Sequence, residues 1–267
     1  MRVLRPMAIL AVSPTIRVGF LGSAPILSKA SASSPDKPSS PDKQRVRPGL
    51  YGRSKGKTLS PKQQGLIQHF LPTLGLPEGE IDPRGLWPDA DQIWIEIGLG
   101  GGEHFVAQAA ANPDQQLIGF EPFQNGMAKT LNTVERLGLR NVSLTMGDAR
   151  LTLSRFVAGC VDRIFILYPD PWPKRRHWKR RLIQPDFVRE LSRLCRVGAE
   201  IRFVSDIDHY QQAALWQFLQ NPDFTWTAES CADWQAPPED HTTTKYEQKA
   251  FREKRTPAYL HFVKRAV

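Results

Sequence analysis

The chain is 267 residues long, 40% apolar and 24% charged, enough for one large or two small domains with a core of ordinary size. Its formal net charge of +9 favours a polyanionic partner such as nucleic acid. Three scattered cysteines, Cys160, Cys195 and Cys231, indicate neither a disulfide framework nor a zinc site, and no apolar run approaches the roughly 20 residues that span a bilayer.

Residues 1–45 differ from the rest. They hold no acidic residue before Asp36, carry Arg2, Arg5, Arg17 and Lys29, and run through SASSPDKPSSPDK. Such a composition buries too little apolar surface to fold. A disordered or targeting-like basic extension is expected: the apolar patch Met7–Val12 is too short for a good secretory signal, while the acid-poor, Ser-containing text also suits a transit peptide. From Arg45, RVRPGLYGRSKGKTLSPKQ forms a basic arm of the kind that contacts phosphates. Residues 46–267 are expected to form the folded domain.

From Gln92 onward, strand-like and helix-like segments alternate. Strands are predicted at Ile93–Ile97, Gln116–Glu121, Val142–Met146, Arg163–Tyr168, Ile201–Ser205, Phe224–Ala228 and Tyr259–Val263. Helices are predicted at Gly102–Ala111, Phe123–Leu137, Asp186–Leu194 and His209–Leu219. This alternation predicts an α/β fold of βαβ units, a mostly parallel sheet with helices on both faces. Ligands then bind at the carboxyl ends of the strands.

The first strand runs into Glu96-Ile-Gly98-Leu-Gly100-Gly-Gly102. Gly98 and Gly100 let the backbone of this turn approach a ligand closely. Carboxylates at Glu96 and Glu103 would repel a pyrophosphate but not a ligand with a sulfonium and an amino group, which favours S-adenosylmethionine over NAD. Glu121, ending the second strand, is placed to accept ribose hydroxyls, and Asp148 after the third can accept from the adenine amino group.

The fourth strand ends in Tyr168-Pro-Asp170-Pro-Trp172-Pro173. Prolines on both sides of Asp170 stiffen its backbone, and a fixed acid beside an aromatic plane suits a flat, donor-bearing base. The following run, Lys174 to Arg181, has six Lys or Arg in eight residues with His177 and Trp178 between them. Basic groups next to the cleft mouth bind phosphates and aromatics stack on exposed bases. Asp206, after the fifth strand, and Thr243–Lys249, read as a loop between the last two strands, receive no role from the residues alone.

Taken in order, EIGLGGG, GFEP, GDA, YPDPWPKRRHWKRR, SDIDHY and TKYEQK resemble the bacterial tRNA (guanine-N(7)-)-methyltransferase family over about residues 45–267. The PDPWPK block with its HWKRR continuation is the most specific part. The resemblance implies a Rossmann-like class I S-adenosylmethionine-dependent methyltransferase fold with seven strands. It implies methyl transfer to N7 of guanine 46 in the variable loop of tRNA, in the cytoplasm, by a monomer or homodimer without metal or membrane. It makes Glu96, Glu121, Asp148 and Asp170 cofactor contacts, with Asp170 also catalytic. It makes Lys174, Asp206, Thr244, Lys245, Tyr246 and Glu247 contacts to tRNA. The first 45 residues have no counterpart in this pattern. Three rivals are disfavoured. A methyltransferase of proteins or small molecules does not need the basic run. A non-catalytic RNA-binding module has no reason to keep all four acids. An oxidoreductase does not match the glycine spacing.

Overall fold

A computed structural model describes residues 56–266. The expected extension, and the start of the basic arm, lie outside the described residues. Seven strands form one sheet: β1 (Gln92–Ile97), β2 (Gln115–Phe120), β3 (Val142–Thr145), β4 (Val161–Leu167), β5 (Cys195–Ser205), β6 (Phe224–Trp226) and β7 (Ala258–Lys264). Their order is β3-β2-β1-β4-β5-β7-β6, with β7 antiparallel to both of its neighbours and the others parallel. The helices are α1 (Pro61–Gly65), α2 (Pro83–Leu86), α3 (Glu103–Ala111), α4 (Gln124–Leu137), α5 (Ala149–Leu153), α6 (Pro185–Leu194), α7 (Asp208–Leu219), α8 (Ala232–Gln235) and α9 (Lys245–Arg252). No helix among the described residues is long and apolar enough to cross a membrane.

Alternate side chains of each strand enter opposite faces of the sheet. Ile93, Ile95 and Ile97 pack with Phe187, Leu191, Tyr210 and Phe218 of α6 and α7. Trp94 packs on the other face with Phe105 of α3 and Met127, Leu131 and Val134 of α4. Each fully buried Ile, Leu or Phe contributes about 1.5–3 kcal/mol, so both faces must stay covered, and the helices on them fix where the strand ends point.

The predicted elements are present with small shifts at their ends. β5 begins at Cys195 rather than Ile201: Cys195 pairs with Val161 ahead of an irregularity, and the strand then passes through Arg196, Val197 and Gly198, all exposed. Three exposed residues in a row break the alternation that marks a strand in sequence. The region read as a loop at Thr243–Lys249 contains the first turns of α9: Thr244 is its N-cap and accepts from the Glu247 backbone N–H at 3.2 Å. Thr-x-x-Glu is a helix-start spacing, so that signal was present. α5 is too short to show a helical period in the sequence, and its N-cap is Asp148 itself.

Candidate active site

A cleft of about 380 Å³ opens at the carboxyl ends of β1, β2 and β4, a size suited to a small-molecule ligand. Its wall includes Gly98, Gly100, Glu121, Asp148, Asp170 and Tyr246. In the turn after β1, Gly98 has φ +87 and Gly100 φ +58. A Cβ on Gly100 would lie 2.8 Å from the Tyr246 ring, and one on Gly126 would lie 2.1 Å from the Gly100 carbonyl. Gly126, in the first turn of α4, was not singled out from the sequence.

Glu121 holds that turn from the end of β2. One carboxylate oxygen accepts the Gly100 N–H at 2.5 Å and the other accepts the Phe123 N–H at 2.7 Å. Desolvation by burial raises its pKa, with the two backbone N–H groups and Lys245 acting against that. Each oxygen retains a lone pair for a further donor. Asp148 caps α5, and Arg150 grips its carboxylate with Nη2 at 2.6 Å and Nε at 2.9 Å.

Glu96 is not brought into this wall. Strand alternation turns it to the Trp94 face of β1, where it is buried and its carboxylate lies 2.6 Å from Nδ1 of His104. The expected direct cofactor contact therefore meets a carboxylate already engaged behind the glycine turn.

The opposite wall follows β4. Tyr168 and Trp172 adopt φ 51 and φ 43, and such backbone strain concentrates at functional sites. Between them Asp170 stands exposed at the cleft mouth, yet the surrounding walls raise its pKa by desolvation. The rings of Tyr168 and Tyr246 stack with centroids 6.5 Å apart and planes 20° apart. Together these place an acid and an aromatic platform on one rim.

The basic run forms a 3-10 helix over Arg175–Arg180. Lys174, Arg175, Arg176 and Lys179 are exposed, and the Arg180 guanidinium lies 5.0 Å over the Trp172 ring. Arg181 departs from the phosphate reading, being only 2% exposed. Its Nε donates to the Pro171 carbonyl at 2.9 Å, its Nη2 meets His209 Nδ1 at 2.6 Å, and its guanidinium covers Trp178 and Tyr210. It staples the Asp170 loop to the start of α7, a contact that sequence position alone does not reveal.

Of the other expected RNA contacts, Tyr246 is exposed on the rim, and Lys245 lies 3.5 Å from Glu103. Asp206 is paired with Arg255 at 2.6 Å. Thr244 and Glu247 are buried. Glu247 accepts from His241 Nε2 at 2.8 Å and from the Tyr259 hydroxyl, which fixes α9 from beneath. Arg255, His241 and Tyr259 carry no motif of their own.

The strand order, the glycine turn and the acid after each of β2 and β3 define a class I, S-adenosylmethionine-dependent methyltransferase. The structure of a 16S rRNA methyltransferase, KamB, shares the fold with a TM-score of 0.50 at 15% identity, covering 68% of this chain and 92% of that one. Residues 90–260 match a family described as "Putative methyltransferase". The tRNA (guanine-N(7)-)-methyltransferase of Rhodospirillum rubrum is 46% identical over 84% of this chain and 91% of its own length. That of Nitrobacter winogradskyi is 47% identical over 82% and 87%. The chain belongs to the tRNA (guanine-N(7)-)-methyltransferase family.

Proposed function

We propose that this chain methylates N7 of guanine 46 in the variable loop of tRNA. The observation that carries the reading is the rim itself: Asp170, fixed between two prolines, beside the stacked Tyr168 and Tyr246, with the exposed basic helix leading up to it. The flat rings and fixed acid suit a guanine, and the exposed cations suit the phosphates on either side of it.

S-adenosylmethionine fits the opposite wall. The glycine turn offers close backbone approach, Glu121 offers acceptors to ribose hydroxyls, and Asp148 offers one to the adenine amino group. Glu96 sits behind that turn, paired with His104. When bound, the cofactor supplies an electrophilic methyl group on its sulfonium.

N7 of guanine carries a free lone pair at neutral pH, so no residue has to remove a proton before attack. The protein's work is orientation and charge stabilisation. Asp170 accepts from the guanine N1–H and exocyclic amine and offsets the positive charge that develops on the ring. Lys174, Lys245 and Tyr246 contact the RNA at the rim. Asp206, Thr244 and Glu247 hold the segments that carry those contacts. In this reading residues 46–267 are the catalytic domain and 1–45 a targeting-like basic extension outside it, and the enzyme works in the cytoplasm as a monomer or homodimer.

The test uses labelled S-adenosylmethionine and two unmodified tRNA transcripts, with guanosine or adenosine at position 46. Label on the guanosine transcript alone, at a site cleaved after reduction and aniline treatment, is expected. Equal label on both transcripts contradicts the target.

A further inference from the structure

We infer that Arg150 makes the cofactor site selective for a 6-amino purine by fixing the Asp148 carboxylate; the inference rests on the reading of Asp148 as acceptor for the adenine amino group. Asp148 and Arg150 both line the cleft, with side chains 8% and 22% exposed. Oδ1 of Asp148 accepts from the Arg150 backbone N–H at 3.1 Å and from its Nε at 2.9 Å. Oδ2 accepts from Nη2 at 2.6 Å and from Nε at 3.2 Å. A backbone donor and a planar fork from the same residue fix the position and the plane of the carboxylate together.

That arrangement has a chemical consequence. A carboxylate paired in this way is an acceptor only. It takes an N–H from a 6-amino purine, whereas the oxygen of a 6-oxo purine would face it acceptor to acceptor. Nε and Nη2 are committed to Asp148 and cannot turn to serve a 6-oxo group instead. A lysine at this position would supply a point charge without the fork, leaving the carboxylate plane free to rotate. The sequence places the fork within reach because Arg150 follows the cap in the first turn of α5.

The test is calorimetric titration of S-adenosylhomocysteine and of its deaminated analogue, S-inosylhomocysteine, into the wild type, Arg150→Ala, Arg150→Lys and Asp148→Asn. Thermal unfolding of each variant checks that it is folded. Arg150→Ala is expected to bind S-adenosylhomocysteine about tenfold more weakly while its affinity for the deaminated analogue stays within about twofold, so discrimination shrinks. Arg150→Lys is expected to fall between. Unchanged discrimination in folded Arg150→Ala, with Asp148→Asn impaired, overturns the inference and leaves the Asp148 reading standing. Unchanged binding of both compounds by Asp148→Asn overturns that reading, and the inference with it.

Discussion

The cofactor wall of the cleft, after β1, β2 and β3, is held by bonds to backbone N–H groups in tight turns: Glu121 to Gly100 and Phe123, and Asp148 to the first turn of α5. The substrate wall, after β4 and β5, is held by side chains reaching across separate segments. Arg181 ties Pro171 to His209, Arg255 holds Asp206, and Tyr259 with His241 holds Glu247. The first wall follows from local spacing, the Arg150 fork on Asp148 included, since that side chain comes from two residues further along the same turn. The second depends on single long side chains, so one substitution there can displace a reactive group without unfolding the domain.

The largest effect should come from Asp170→Ala, which removes the charge proposed to face the guanine: kcat on tRNA is expected to fall about a hundredfold, measured by single-turnover methyl transfer. Full kcat in a variant that binds both substrates normally would end the catalytic assignment. Arg181→Lys sharpens the contrast between the walls. It keeps the charge and loses the fork, and a displaced Asp170 loop is expected to lower kcat about tenfold or more while S-adenosylhomocysteine affinity stays unchanged. A loss of cofactor affinity equal to the loss of rate would show that the two walls are not separable.

Glu121→Gln probes the other wall, with an expected loss of about tenfold in S-adenosylhomocysteine affinity. Its pH dependence is informative because burial raises the folded pKa above the ordinary 4.5. The folded state then holds a proton that the unfolded chain has already lost. The contribution of Glu121 to stability is full below 4.5 and is lost as pH rises through the folded value. Cofactor affinity runs the other way, since the ionised carboxylate is the better acceptor: it should strengthen through the same window, and Glu121→Gln should flatten that rise. The smallest effect belongs to the exposed cations. Lys174→Ala is expected to weaken tRNA binding a few-fold at low salt and to reduce the salt slope by about one counterion or less, with kcat at saturating tRNA unchanged.

The same division decides what could be read from the sequence. β1 to β4 and the turns after them were legible because alternation, glycine and acid spacing are local properties, and Glu121, Asp148 and Asp170 stand at strand ends where the reading placed them. Glu96 belongs to the glycine motif, but the strand's two-residue period turns its side chain to His104, a partner that the motif does not name. Arg181 looked like one more phosphate-binding cation, since burial of the last residue in a basic run leaves no trace in composition. Thr244 and Glu247 have a helix-start spacing that the sequence does show, whereas the partners of Glu247, His241 and Tyr259, come from two other segments and no local pattern pairs them.

The most direct test of the account is methyl transfer to a tRNA in which guanine 46 alone is replaced by 7-deazaguanine. That base keeps the N1–H and exocyclic amine proposed to meet Asp170 and replaces only the attacking nitrogen with carbon. The account predicts tRNA affinity within about twofold of the unmodified transcript and no methyl transfer. Continued transfer to the substituted tRNA would contradict it.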